Sequence, residues 1–240
     1  MVDFHSHILP GMDDGASSPE ESLQMLARSR LQGVDVLFAT SHFYADEEDP
    51  AAFLVRREEA CGKLLSCIAE KETLPEIPEL FLGAEVYYFP GISTCEEIVP
   101  LALENTGLLL VEPPFAPFSR GMLREIESIR SNLGLIPVVA HLDRYCRMLR
   151  DYTLFHVLAE REIMVQVNAS FFLNPSCQEQ AMEMLKLGLF HILGSDCHNL
   201  EDRAPNLGPA LRKIKEKKLD NCLAKVTELS YNILEKKSIF

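Results

Sequence analysis

The sequence predicts an α/β protein, a TIM-like barrel of parallel strands related to the (β/α)8 type but one unit short. Three observations lead there. Short apolar runs alternate with helical segments along the whole chain. Those runs are apolar throughout instead of alternating with polar residues, as strands of a parallel sheet covered on both faces require. No repeat, low-complexity tract or linker divides the 240 residues, a length that one barrel domain accommodates. Residues 1–240 are therefore expected to form a single domain.

Val2 to His5 is the first strand. Ser18-Pro19-Glu20-Glu21 opens a helix, with Ser as N-cap, Pro at the first helical position and acids in the first turn. That helix runs to Gln32 and stops at Gly33. Val34 to Thr40 is the second strand, followed by Ser41-His42, an acidic loop from Ala45 to Pro50, and a long helix from Pro50 to Lys71. Leu80 to Glu85 is the third strand, and Ser93 to Glu104 a short helix. Leu108 to Glu112 is the fourth strand, ended by Pro113-Pro114. A helix over Ser119–Asn132 closes at Gly134, and Ile136 to His141 is the fifth strand. Helix follows to about Arg161, then Ile163 to Asn168 is the sixth strand. Ser176 to Leu187 is helical, with Gly188 as its stop. Phe190 to Ser195 is the seventh strand, and two helices occupy Leu207 to Lys237.

The composition excludes several classes. A net charge of −13 opposes capture of nucleic acid, which needs a basic face. No apolar run approaches the roughly 20 residues that span a bilayer. The N-terminal residues lack the pattern of a signal peptide, so the expected location is the cytoplasm. The seven cysteines, at 61, 67, 95, 146, 177, 197 and 222, form no Cys-x-x-Cys pair and read as small buried hydrophobes, not as a disulfide framework or zinc knuckle.

In such barrels the working residues sit at the C-terminal ends of the strands. Strand one ends in His5 and His7, which point to one side of an extended chain, with Asp13-Asp14 after a Pro-Gly turn. Strand two leads to His42, strand three to Glu85, strand four to Glu112, strand five to His141, and strand seven to Asp196 and His198. Strand six ends in Asn168 and offers no ionisable group. With one aspartate of the 13/14 pair, five imidazoles and four carboxylates share one rim. That exceeds the coordination of one ion, so two or three divalent metals are implied. Packed together without cations, the carboxylates would repel and several would protonate. Nitrogen and oxygen ligands without thiolate fit Mn²⁺, Fe or Zn²⁺. Ions about 3.5–4 Å apart suit in-line displacement at phosphorus, with a metal-activated hydroxide as nucleophile. Arg144 and Arg203 follow His141 and His198 closely, and guanidinium forks suit phosphate oxygens. His156, in a helix, and His191, inside a strand, lie away from the rim and read as structural.

His5-Ser-His7, Asp13-Asp14-Gly15, Thr40-Ser41-His42, Gly83-Ala84-Glu85, Glu112, Ala140-His141-Leu142-Asp143-Arg144-Tyr145 and Ser195-Asp196-Cys197-His198-Asn199 together resemble the polymerase-and-histidinol-phosphatase (PHP) superfamily. Within it the likeness is to the bacterial manganese-dependent protein-tyrosine phosphatases of capsular and exopolysaccharide operons, and it spans nearly the whole chain in order. The resemblance implies a distorted (β/α)7 barrel with a trinuclear centre, Mn²⁺ being the first choice of metal. It implies that His5, His7, Glu85 and Asp196 hold one ion, that Glu85 bridges to a second held with Glu112 and His141, and that Asp14, His42 and His198 hold the third. Arg144 and Arg203 would be the phosphate-binding arginines. The implied partner is a phosphotyrosine protein, the C-terminal tail of the operon's tyrosine kinase. The chain departs from the family pattern at Cys197, in the middle of Asp-x-His, in the opening of the C-terminal helix, and in a Pro- and Phe-rich loop over 113–120.

Three rival readings share these residues. Cys197 to Arg203 has the Cys-x5-Arg spacing of cysteine-dependent phosphatases. The intervening His-Asn-Leu-Glu-Asp has no glycine and two acids, unsuited to wrapping a phosphate dianion in backbone N–H groups. Histidinol phosphate would be hydrolysed by the same metal chemistry. A catalytically inactive kinase-binding regulator should have lost a ligand, and none is missing.

Overall fold

The computed structural model describes residues 1–146 and 152–236. In chain order the elements are β1 (Val2–Ser6), α1 (Pro19–Leu31), β2 (Val36–Ala39), β3 (His42–Phe43), α2 (Pro50–Ala69), β4 (Glu79–Leu82), β5 (Glu85–Tyr87), β6 (Leu108–Glu112), α3 (Arg120–Leu133), β7 (Ile136–Val139), α4 (Asp143–Cys146), α5 (Thr153–Glu160), β8 (Met164–Asn168), α6 (Ala169–Leu173), α7 (Gln178–Leu187), β9 (Ile192–Gly194), α8 (Leu207–Glu216) and α9 (Asp220–Leu234). Local chemistry sets many of the boundaries. The Ser18 hydroxyl accepts from the Glu21 N–H and Pro19 opens α1. Asp49 caps α2 in the same way, and Ser119 caps α3. Gly134 and Gly188 end α3 and α7 with φ of 70° and 66°, a left-handed backbone that costs glycine nothing.

All strand pairs are parallel. β1, β2 and β4 form one ladder, and β3-β5-β6-β7-β8-β9 the other. Ser6 bridges to Cys197, and the Asp196 N–H donates to the His5 carbonyl at 2.8 Å, which joins β9 back to β1. The sheet thus curls into a distorted barrel with seven strand positions, the second and third of which are broken in two. Expected as continuous runs, they break at Thr40-Ser41 and Gly83-Ala84, so their first halves join the ladder of β1 and their second halves the ladder of β6. Gly83 packs so tightly that a Cβ there would lie 2.5 Å from the Leu103 side chain.

Two further expectations are corrected, and one element is added. The helix expected over 93–104 is two 3₁₀ turns, Ile92–Thr94 and Glu96–Leu101, because Pro100 removes a backbone donor. The helix expected from His141 to Arg161 is α4 and α5, with 147–151 outside the described residues. α6, which follows β8 without a loop, had no signal of its own.

The core has two layers. Leu37, Ala39, Leu109, Val111, Val165 and Val167 face outward and pack with helix residues such as Leu26, Ile126 and Met184. Val2, Phe4, Val36, Phe38, Leu108, Leu110, Val138 and Met164, on the other side of the strands, form a smaller cluster inside the curl with Ile233 of α9. Among the described residues, six cysteines are free, and no helix is long and apolar enough to cross a membrane.

Candidate metal centre

The C-terminal ends of the strands bring all nine expected residues together around Glu85, which is 1% exposed. His5 Nε2 lies 3.1 Å from Glu85 Oε2 and 3.6 Å from Asp196 Oδ1, and His7 Nε2 lies 3.3 Å and 3.6 Å from the same atoms. The other Glu85 oxygen, Oε1, is 2.7 Å from His141 Nε2, which is also 3.2 Å from Glu112 Oε1. His42 faces two ways: Nδ1 is 3.1 Å from Glu85 Oε2, and Nε2 is 3.7 Å from Asp14 Oδ1. His198 Nε2 lies 3.3 Å from Asp14 Oδ1. Among the described residues, three groups have donor atoms close enough to hold an ion: His5, His7 and Asp196; His42, Glu85 and Glu112; and His7, Asp14, His42 and His198. His7 and His42 each belong to two of these groups, so neighbouring positions share ligands.

Buried Glu85 Oε2, His42 Nδ1 and His198 Nε2 have no hydrogen-bond partner among the described residues. Nitrogen and oxygen donors that converge at these distances and leave buried atoms unsatisfied suit a cation. The protonation balance agrees. Burial opposes charge on His7, but hydrogen bonds to Asp13 and Glu85 outweigh it and raise its pKa to about 10. Burial is likewise outweighed at His141, which Glu85 and Glu112 raise to about 9. Glu85 and Asp196 are held well below the usual carboxylate range despite burial, by His5 with His141 and by His5 with His7. Burial and the neighbouring His7 push His198 down to about 4. Protons and metal ions therefore compete for the same lone pairs.

The geometry separates the two aspartates after β1. Asp13 is turned behind His7, accepting from its Nδ1 at 2.8 Å, from the His42 N–H at 2.9 Å and from the Gly15 N–H at 2.9 Å. It holds a proton on His7 Nδ1, which leaves Nε2 as the nitrogen that would bind an ion. Asp14 is exposed and faces His42 and His198.

Both candidate arginines reach the same rim. Arg144 Nη1 is 3.1 Å from Glu112 and Nη2 is 2.8 Å from Asp196 Oδ2; Arg203 Nη2 is 3.0 Å from Asp196 Oδ1 and Nη1 is 3.3 Å from Asp14. They border a cavity of about 450 Å³, lined also by Phe115, Asp143, Asn168 and Ser170. The Tyr145 hydroxyl donates to the carbonyls of Pro113 and Pro114 at 2.7 and 2.9 Å, and Phe118 packs edge-on against its ring. The Pro- and Phe-rich loop is thereby pinned at the cavity mouth, where Phe115 is 66% exposed. His191 is away from this site, and its Nδ1 accepts from the Val165 N–H at 3.0 Å.

Fold and site define the class: a parallel barrel with a histidine- and carboxylate-rich cluster fit for metal ions at the C-terminal ends of its strands. The family described as capsular polysaccharide synthesis, CpsB/CapC, matches residues 1–233, and the chain belongs to it. It is 31% identical over 236 residues to the tyrosine-protein phosphatase CpsB of Streptococcus pneumoniae, with 90% of each chain covered. To the tyrosine-protein phosphatase YwqE of Bacillus subtilis (strain 168) it is 25% identical over 248 residues, covering 100% of this chain and 94% of the relative. A solved structure from work on YwqE of Bacillus subtilis and CpsB of Streptococcus pneumoniae, described there as unique metal-dependent tyrosine phosphatases, matches with a TM-score of 0.85. Identity is 26%, over 100% of this chain and 96% of that one.

Proposed function

We propose that this chain is a metal-dependent protein-tyrosine phosphatase of capsule synthesis. The observation that carries the reading is the convergence on Glu85: one carboxylate, with three imidazoles at 3.1–3.3 Å from one oxygen and a fourth at 2.7 Å from the other, in a chain of the CpsB/CapC family. His5, His7, Glu85 and Asp196 would hold one ion, Glu85, Glu112 and His141 a second, and Asp14, His42 and His198 a third, with Mn²⁺ as first choice and Fe or Zn²⁺ as alternatives. Bound there, divalent ions supply an activated water and positive charge for the departing phenolate oxygen. Asp13 keeps His7 in the tautomer that faces the site. Arg144 and Arg203 present guanidinium groups to phosphate oxygens at the cavity, and Phe115 offers an aromatic wall to a phenyl ring. The substrate we favour is the phosphotyrosine-bearing tail of a tyrosine kinase that acts in polysaccharide synthesis in the cytoplasm.

The test is turnover of a phosphotyrosine peptide beside histidinol phosphate, with Mn²⁺ and with a chelator. Peptide hydrolysis that requires metal is the expected result. Preference for histidinol phosphate would keep the chemistry and move the substrate, and indifference to the chelator would overturn the metal assignment.

A further inference from the structure

The sixth strand position, β8, offers no ionisable group, yet two of its side chains lie at the base of the site. Gln166 is fully buried and Asn168 is 5% exposed. Gln166 Oε1 accepts from the His141 backbone N–H at 2.6 Å and lies 3.3 Å from His5 Nδ1. Gln166 Nε2 donates to Asn168 Oδ1 at 2.8 Å, and Asn168 Nδ2 donates to Asp196 Oδ2 at 2.8 Å. The Asn168 N–H in turn donates to Asp143.

The direction of this chain is forced from both ends. A backbone N–H only donates, so the atom facing His141 is the Gln166 oxygen. Asp196 Oδ2 also accepts from the Arg144 guanidinium at 2.8 Å, so the Asn168 atom facing it is the nitrogen. Both amides then have one orientation, with each donor paired to an acceptor along the line. The consequence falls on His5. Its Nδ1 faces an oxygen that can only accept, so Nδ1 carries a proton, and Nε2, toward Glu85, Asp196 and His7, is the nitrogen left to bind an ion.

We propose that Gln166 and Asn168 are positioning residues for the metal centre: an amide relay that fixes the tautomer of His5, the backbone of His141 and the carboxylate of Asp196 at once. The proposal rests on the metal-dependent reading of the site. The relay has a built place in the fold. A Cβ on Gly194 would lie 2.4 Å from His5 Cβ and 2.8 Å from Gln166 Nε2, so glycine in β9 leaves the space in which the amide sits against β1. A buried glutamine with a purely structural task would need its polar atoms satisfied anywhere; here two of the partners, His5 and His141, are expected metal-site residues, and the third, Asn168, reaches Asp196.

The experiment is titration calorimetry of the metal-stripped full chain with Mn²⁺, with ¹⁵N spectra of the histidines to report tautomers and circular dichroism to confirm folding. Wild type should bind Mn²⁺ and show His5 protonated at Nδ1; absence of binding by wild type would overturn the metal reading itself. Gln166→Met, similar in shape but without the acceptor, should weaken Mn²⁺ binding about 10- to 100-fold and lose the single His5 tautomer. Gln166→Glu, which keeps the acceptor toward His141 and His5 but loses the donor toward Asn168, should bind more weakly than wild type and more tightly than Gln166→Met. Asn168→Leu, at the rim, carries the same test if Gln166→Met does not fold, and should weaken binding in the same range. Wild-type binding affords no support if Gln166→Met and Asn168→Leu match it: that result overturns the relay, as would an equal loss in Gln166→Glu and Gln166→Met.

Discussion

The inside of the barrel and its C-terminal rim are built from the same strands, and much of the rim is as buried as the inside. On β1, Phe4 stacks on Phe38 of β2 with ring centroids 5.3 Å apart, and the next residue is His5. On β6, Leu110 lies inside and Glu112 ends the strand; after β7, Ala140 lies inside and His141 follows. Phe4, Phe38, His5 and His7 are all at 0% exposure. Their energetic roles are opposite. Each apolar side chain removed from water contributes about 1.5–3 kcal/mol to folding, whereas each buried ionisable group must be compensated by partners for the hydration it gives up. The apolar layer carries the stability that allows a costly rim, one or two residues further along each strand.

His141→Ala should break the rim and leave the inside intact. It removes the imidazole that Glu85 Oε1 and Glu112 share. Turnover should fall by about a thousandfold or more, equivalent to about 4 kcal/mol of transition-state stabilisation, while a cooperative melt persists. Full turnover in this variant would contradict the site. Phe38→Ala is the reverse experiment. The ring is fully buried and stacked on Phe4 and Phe81, so its loss should cost about 3–5 kcal/mol in denaturant unfolding. Turnover of the protein that remains folded at low temperature should be near wild type. If Phe38→Ala abolished turnover without loss of stability, the two layers would not be separable.

Arg144→Ala should have a smaller and different effect. The guanidinium is at the cavity and not among the donor groups able to hold an ion, so KM for a phosphotyrosine peptide should rise about tenfold, the scale of one charge-assisted hydrogen bond. Mn²⁺ affinity should change less. A collapse of metal binding instead would place Arg144 in the centre's architecture through Glu112 and Asp196.

These contrasts also explain what the sequence made legible. All the rim residues but Asp14 end or closely follow an apolar run, so the change from buried-strand chemistry to ionisable chemistry marks the strand ends. Side-chain direction within a turn has no such marker. Asp13 and Asp14 are adjacent, and their separation depends on how residues 10–15 pack: a Cβ on Gly15 would lie 2.1 Å from the His7 carbonyl oxygen and 2.8 Å from Asp13 Oδ1. The breaks in the second and third strands arise from pairing with different neighbours, a long-range property that the apolar runs Val34–Thr40 and Leu80–Glu85 do not encode. Gln166 carries a legible signal of its own. A glutamine in Met164-Val-Gln-Val-Asn168 is a polar residue in a strand expected to be buried on both faces, and such a residue must find partners.

His191 tests whether an imidazole outside the rim behaves as a purely structural group. Burial pushes its pKa down to about 4, and its Nδ1 accepts from the Val165 N–H. The folded state therefore binds this proton less readily than the unfolded chain. Its contribution is present above the unfolded value near 6.5 and is lost as pH falls toward 4, on the order of 3 kcal/mol across that window. His191→Asn, which retains an acceptor, should lose less stability than wild type between pH 7 and pH 4.5 in chemical denaturation, with turnover at pH 7 little changed. An identical pH dependence in the two proteins would assign the acid sensitivity to the rim alone.

The smallest effect is expected where the spacing of residues invited the largest. Cys197 lies between two rim residues, Asp196 and His198, and has a Cys-x5-Arg relation to Arg203. Its side chain takes the opposite direction from theirs: it is fully buried in the outer apolar layer between sheet and helices. Burial, with Asp3 and Asp196 nearby, pushes its thiol well above the ordinary range, whereas a nucleophilic cysteine needs exposure and a lowered pKa. Cys197→Ser should therefore leave metal-dependent turnover within about threefold of wild type. Its cost should be a modest loss of stability, because a hydroxyl enters an apolar layer. Loss of turnover with the metal requirement unchanged would reflect disturbance of Asp196 and His198 through the β9 end. Loss of turnover in a protein indifferent to chelator would mean that the thiol attacks phosphorus, and the division of labour between an apolar interior and a metal-holding rim would have to be abandoned.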